Sequence, residues 1–241
     1  MDVICHCVNI RKDGNRYQIC AAAADGSGAQ CFAATNDALV WPVWSADGQR
    51  IYVCNAPQLL QSGLLAVTLA GGAHETILPV SEAVSWPAVS PDGSTLAYLR
   101  GTDLSAGISP PPQEVRLLSL STRQQTTVFR LDNVGVSDVG THDVTGLTWA
   151  PDGQSLLVAV DRGRGQFGLE RVALGGARQP LGTDFTFRPS NLRVTPDGRL
   201  LVLATPAQGG TSEIWSVDPA SGGRQTLPLA GETPGAFDVS R

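Results

Sequence analysis

The chain has 241 residues, of which 16% are charged against an average of roughly 25%, and it carries 27 glycines and 16 prolines. This composition favours many short strands joined by turns over long helices. With 17 basic against 22 acidic residues the formal charge is −5, and because a phosphate backbone is bound by clustered Lys and Arg, no nucleic-acid partner is expected. The longest apolar runs, such as LLVAV at 156–160, fall far short of the ~18 residues of a membrane-spanning helix, so no membrane insertion is expected either.

The chain opens with MDVICHC, which has neither a basic region nor a long apolar stretch, so a signal peptide is not expected. The segment DVICHCVNIRKDGNRYQICAAAADGSGAQCFAATND then reads as three strands broken by Asp13-Gly14 and by DGSG. It contains Lys12, the one lysine among the basic residues, a bias that packing does not demand. A two-residue loop at Asp13-Gly14 would set Cys7 opposite Cys20 and Cys5 opposite Ala22. The DGSG turn would set Cys31 opposite Ala22, so all four cysteines fall on one face. A flat row of thiols converges poorly on a tetrahedral ion. The expectation is small buried thiols in the reduced state, with a Cys7 to Cys20 disulfide and metal binding as the alternatives. With Cys54 the total is odd, which leaves at least one thiol unpaired in a monomer.

Four related segments follow: VWPVWSADGQRIYV, VSWPAVSPDGSTLAYL, VTGLTWAPDGQSLLVAV and PSNLRVTPDGRLLVLA. Each has an apolar stretch, an Asp-Gly turn and a second apolar stretch, the signature of a β-hairpin. The turn aspartates Asp47, Asp92, Asp152 and Asp197 lie 45, 60 and 45 residues apart. Between the hairpins lie LLAVTLAGGAHETILPV, VRLLSLSTRQQTTVFRL, LERVALGGARQPLGT and EIWSVDPASGGRQTLPLA, each reading as two more strands. Four strands in a repeat of this length predict a blade of a β-propeller. The carboxyl-terminal GETPGAFDVSR resembles one more first strand that stops before its turn, so the first three strands and this last one are expected to close a fifth blade. The expected architecture is an all-β propeller of four-stranded antiparallel blades in a single domain over 1–241. Its blades are expected over 1–35 with 232–241, 40–80, 84–131, 143–184 and 187–231.

Trp44 and Trp149 lie three residues before a turn aspartate, where the other repeats have Val89 and Val194, and a recurring apolar position predicts core. Trp215, in a third strand, is expected to pack as well. Trp41 and Trp86 lie six residues before the turn, each followed by Pro, where the other repeats have Gly146 and Asn191. They are read as rim residues over a blade junction or as aromatic contacts at the channel mouth. His6, His74 and His142 fall in separate blades, and no GxSxG, Walker, HExxH or CxxC motif is present. The glycine-rich GRGQFG from Gly163 does not join a strand to a helix and reads as a hairpin loop. No catalytic residue, metal or cofactor is expected.

The segment WPAVSPDGSTLAYL resembles the repeat of TolB-type, WD-repeat-like propellers, and NRYQICAAAADGSGAQCFAATND resembles their outer hairpin. The resemblance covers nearly the whole chain. Ala46 departs from it, standing where the other repeats have Pro, as does the last first strand, which lacks its Asp-Gly. Such propellers include bacterial envelope proteins and peptidase accessory domains. The resemblance therefore implies an extracytoplasmic location, periplasmic or at the cell envelope, which the cysteine usage does not support and against which a cytoplasmic one stands.

The expected role is a non-catalytic scaffold that binds a protein partner or assembles into a larger complex. The alternative is a carbohydrate-active propeller enzyme or the accessory domain of a peptidase. Partners are expected on the face with the longer loops, where GTDLSAGISPPP and DNVGVSDVGTHD account for the one long repeat. That face is expected to present Trp41, Trp86, Arg100, Asp161, Arg162, Arg164 and Arg188, an aromatic and arginine composition typical of interface hot spots.

Overall fold

The Asp-Gly motifs of the four repeats do turn the chain, at Asp47, Asp92 and Asp152 over four residues and at Asp197 over three. In the computed structural model, which describes residues 6–23, 27–58, 61–101, 113–131, 142–162, 166–185, 187–195, 197–206 and 210–227, Ser90 N–H donates to Thr95 O at 2.8 Å and Gly93 N–H to Ser90 O at 2.9 Å. Only the glycines of these motifs, Gly48, Gly93, Gly153 and Gly198, take positive φ, at 67°, 72°, 66° and 83°. The aspartates work through their carboxylates. Asp92 Oδ1 accepts from the Ser90 hydroxyl at 2.5 Å and the Ser94 N–H at 3.0 Å, and Asp47 Oδ1 accepts from the Ser45 hydroxyl at 2.6 Å and the Gln49 N–H at 3.0 Å. This is the local side-chain turn that Asp favours.

Hydroxyl donors hold the carboxyls of Asp47, Asp92 and Asp197 below the ordinary range, and the Ala220 N–H does the same for Asp218. A carboxyl depressed in the folded state adds stability above its unfolded value of ~3.9 and loses it as the pH falls through the lower folded value. The urea midpoint of the protein is therefore expected to drop as the pH falls below about 4, and Asp92→Asn, which cannot ionise, to show a smaller drop. Equilibrium unfolding monitored by circular dichroism across that range checks this.

These turns join strands that alternate between two faces and so form five blades. Blade 1 holds β1 (His6–Asp13), β2 (Arg16–Ala23) and β3 (Gln30–Thr35). Blade 2 holds β4 (Ala38–Trp44), β5 (Arg50–Gln58), β6 (Gln61–Thr68) and β7 (His74–Leu78). Blade 3, entered through a short 3-10 turn at Val80–Glu82, holds β8 (Val84–Val89), β9 (Thr95–Gly101), β10 (Gln113–Ser119) and β11 (Gln125–Leu131). Blade 4 holds β12 (His142–Trp149), β13 (Ser155–Arg162), β14 (Phe167–Ala173) and β15 (Arg178–Phe185), and blade 5 holds β16 (Phe187–Val194), β17 (Leu200–Pro206), β18 (Glu213–Val217) and β19 (Arg224–Leu227). Each is an antiparallel sheet with its strands in chain order. The protein is thus a five-bladed β-propeller. The closing strand expected within 232–241 lies outside the described residues.

The core follows from the alternation, because a blade presents apolar side chains on both faces. Each apolar cluster is built by two neighbouring blades: Ile19 with Ile51 and Val53, Tyr52 and Leu64 with Leu96 and Tyr98, Val115 with Val158 and Val172, and Leu157 and Leu169 with Leu192 and Val202. Trp149, 2% exposed, donates its indole N–H across a junction to Ala88 O at 3.0 Å. The buried Trp215 packs against Phe187 with the rings tilted by 56° and lies under the Arg224 guanidinium. Both expectations of packing hold.

The amino-terminal register differs from the expected one. Asp13 pairs with Arg16, so Gly14, at φ 57°, takes the first central position of the hairpin loop, the one at which a type II′ turn requires glycine. Cys7 accordingly stands opposite Ala22, and Cys20 opposite Asn9. In the next hairpin Cys20 stands opposite Cys31, and these two form a disulfide with their Cα atoms 4.0 Å apart. The expectation of reduced thiols is corrected for Cys20 and Cys31, as is the alternative Cys7 to Cys20 pairing, while Cys5 lies outside the described residues. Cys54 is free and buried, and burial pushes its thiol up, so it stays protonated.

The turns also dictate how closely blades approach. A Cβ placed on Gly153 would lie 3.7 Å from Pro91 Cδ, one on Gly198 3.7 Å from Pro151 Cγ, and one on Gly93 3.0 Å from Ala46 Cβ. At these three junctions the residue before the turn aspartate thus abuts the turn glycine of the following blade, Pro91 and Pro151 at ordinary contact distance and the smaller Ala46 more closely. Further out, a Cβ on Gly222 would meet Leu181 O of blade 4 at 2.0 Å, and Gly222 also has φ 73°. Gly222→Ala is expected to lower stability by about 1–3 kcal/mol, whereas Gly175→Ala, with no atom within 4 Å of its Cβ, should stay within about 0.5 kcal/mol of the parent. Urea denaturation of both variants checks this.

Candidate functional site

Each described innermost strand carries one extra residue at the same height. Between Val40↔Cys54 and Val43↔Tyr52, β4 advances three residues while β5 advances two, and the same slip recurs between Ser85 and Ala88, between Val144 and Gly146, and between Ser190 and Arg193. Such β-bulges bend the strand and re-aim a side chain. At three of them the backbone is left-handed: Trp41 has φ 51°, Trp86 φ 50° and Asn191 φ 47°. For a bulky residue before proline this conformation is disfavoured, at a cost of about 1–3 kcal/mol. The bulge brings the two indoles together with ring centroids 5.1 Å apart. Trp41 also packs on the cluster between blades 2 and 3, and Trp86 on the cluster between blades 3 and 4. At the equivalent Gly146 a Cβ would meet Leu192 Cδ1 of blade 5 at 2.4 Å, so the neighbouring blade already fills the place of a side chain.

Three of the four arginines predicted at the loop side, Arg100, Arg162 and Arg188, are paired with carboxylates. In blade 3, Arg100, Glu114 and Arg130 face each other in one row across β9, β10 and β11. Glu114, 2% exposed, is paired with Arg130 and lies 3.8 Å from Arg100 and 3.5 Å from Arg116. Glu82, on the connection from blade 2, adds 2.7 Å to Arg100 and 3.6 Å to Arg116. Gln125 Oε1 accepts from Arg116 at 2.9 Å and from the Tyr98 hydroxyl at 2.7 Å, and burial pushes the Tyr98 phenol up to about 12, which keeps it a donor. In blade 4, Glu170 accepts from Arg162 at 2.5 Å and Arg178 at 2.7 Å, and Arg178 lies over Phe129 of blade 3. Asp161 meets Arg188 of blade 5 at 3.8 Å.

The structure therefore joins Trp41 to Trp86 and Asp161 to Arg188, and places Arg100 and Arg162 in separate ion-pair groups. Arg164 lies outside the described residues. Glu82, Glu114, Arg116, Arg130, Glu170 and Arg178 were not singled out from sequence. Their signal was a charged residue inside an otherwise apolar strand, such as Glu114 and Arg116 two apart in QEVRLLS, which period-two alternation puts on one face. Among the described residues no three His, Cys, Asp or Glu side chains gather as a metal site, and no helix is long and apolar enough to cross a membrane.

Removing the buried carboxylate leaves its arginines without their counter-charge. Glu114→Gln is expected to destabilise the protein by about 2–4 kcal/mol. Glu75→Gln, which breaks the exposed pair with Arg123 at 2.7 Å, should cost less than about 1 kcal/mol. Denaturation midpoints of the two variants check the contrast.

The frame defined by these strands is that of a propeller with an ion-paired loop side, and its likeness to solved structures is to TolB-type propellers. TolB from Acinetobacter baumannii matches with a TM-score of 0.73 at 19% identity, over 95% of this chain and 54% of that one. The putative TolB from Agrobacterium tumefaciens matches with a TM-score of 0.64 at 16% identity, over 94% and 81%. An oligogalacturonate lyase in complex with manganese matches with a TM-score of 0.63 at 12% identity, over 88% and 58%. The chain thus spans about half the length of the Acinetobacter TolB, and at these identities the likeness is one of fold. No family model and no curated protein matches the chain.

Proposed function

We propose that this propeller is a non-catalytic scaffold that holds a protein partner on its loop side, at the mouth of the channel. The observation that carries this reading is the ion-pair row of blade 3. The two longest inter-strand segments, 102–112 and 132–141, leave from the ends of β9 and β11, where Glu114 ties Arg100 and Arg130 together. Loops on a rigid base are where binding residues concentrate. The base is completed by the Trp41 and Trp86 pair and by the Asp161 to Arg188 link, with the Arg188 side chain 48% exposed. Trp41, Trp86, Arg100, Asp161, Arg162 and Arg188 set the surface in this reading, and Arg164 is assigned to it as the residue two positions after β13 in the sequence. The Cys20 to Cys31 disulfide supports an oxidising, extracytoplasmic setting, where such bonds persist.

Replacing 102–112 and 132–141 by short Gly-Ser linkers is expected to reduce recovery of a cross-linked partner from the source cell by about ten-fold. Arg188→Ala should reduce it less, and Gly175→Ala on the opposite face should not. Equal loss from Gly175→Ala would overturn the assignment of the face. Thermal unfolding of each variant, recorded alongside, confirms that the ring stays folded.

A further inference from the structure

On blades 3, 4 and 5 the loop-side arginines described above are matched by carboxylates: Arg100, Arg116 and Arg130 by Glu82 and Glu114, Arg162 by Glu170, and Arg188 by Asp161. The junction of blades 1 and 2 is built differently. Its cation is Lys12, the only lysine of the chain, near the end of β1 and opposite Tyr17. The ammonium lies 5.4 Å from the centre of the Tyr17 ring, and among the described residues no carboxylate pairs with it. Alternation puts Lys12 and Tyr17 on the face that carries Ile10 and Ile19 toward blade 2, and Arg11 and Asp13 on the other face. Asp37, on the connection into blade 2, instead accepts from Asn55 Nδ2 at 3.4 Å. Lys12, Asn15, Tyr17 and Asn36 line an open hollow of about 480 Å³.

We infer that this hollow takes a single carboxylate from an acidic peptide segment, with the Lys12 ammonium as its counter-charge. Asn15 and Asn36 each present a donor and an acceptor, which matches the amide groups of a peptide backbone on either side of the acidic residue. One ammonium suits one carboxylate, and the chain's net charge of −5 opposes a polyphosphate. The inference names the chemistry of the partner and rests on the reading of the loop side as a partner surface.

The test titrates the full chain, labelled with nitrogen-15, with the blocked peptide Ac-Gly-Gly-Glu-Gly-Gly-NH2 at low salt. Saturable shifts are expected at the side-chain amides of Asn15 and Asn36, with the Gln analogue weaker by about ten-fold, the size expected for one charge-assisted hydrogen bond. Lys12→Ala should lose a similar factor, Lys12→Arg should stay within about three-fold, and Arg11→Ala on the other face should leave the titration unchanged. The inference is overturned if the Gln analogue binds equally, if Arg11→Ala weakens binding as much as Lys12→Ala, or if glucuronate or inorganic phosphate binds more tightly than the peptide. Absence of any saturable shift overturns it as well. No partner is needed in this titration, so its failure is separate from the result of replacing the two long segments.

Discussion

A blade with apolar side chains on both faces cannot bury either alone, and every other feature of this protein follows from placing a neighbour on each side. Among the described residues the four apolar clusters all straddle junctions, with Leu157 and Leu169 of blade 4 against Leu192 and Val202 of blade 5 as one instance. Burial of apolar area drives the stacking without directing it. Direction comes from the turns, where Pro91 and Pro151 sit against Gly153 and Gly198 of the following blade. A Cβ there would lie at ordinary contact distance from either proline, 3.7 Å, and it is the positive φ of these glycines, 66° and 83°, that disfavours a side chain.

Near the axis the same stacking becomes crowded, and the bulges are the response. They let Trp41 and Trp86 swing across two junctions and meet each other, while Gly146 yields its place to Leu192. The change from Trp to Gly at this position therefore follows the neighbour, an indole at Trp41 and Trp86 and the Leu192 side chain at Gly146. Away from the axis on the loop side, the blades are linked by charge. Arg100 reaches Glu82 from the preceding connection, and Asp161 reaches Arg188 of the next blade. An arginine held in this way is pre-organised, so less side-chain entropy remains to be lost when a partner arrives.

The first blade shows how a small local choice propagates. Gly14 occupies the first central position of its loop, and Cys20 meets Cys31 across the next hairpin. Reading each turn one residue differently leaves every strand in place but exchanges all cross-strand partners. Lys12 and Tyr17 are neighbours for the same reason, and they form one wall of the hollow between blades 1 and 2.

The sequence by itself determined the strands, their grouping into repeats and the apolar positions such as Trp149 and Val194, both buried in the structure. These depend on period-two alternation and on turn chemistry, which act over a few residues. Charged residues inside strands, Glu114 and Glu170 above all, were visible as exceptions to the alternation. Their partners were not, because Arg130 and Arg178 reach them only through strand pairing, and Arg100 only through the row shared by β9 and β10. The tertiary structure alone decided the disulfide, the meeting of Trp41 with Trp86 and, among the described residues, a Lys12 without a carboxylate partner. Each depends on register or on the approach of a second blade, and neither is encoded in the local pattern of any one strand.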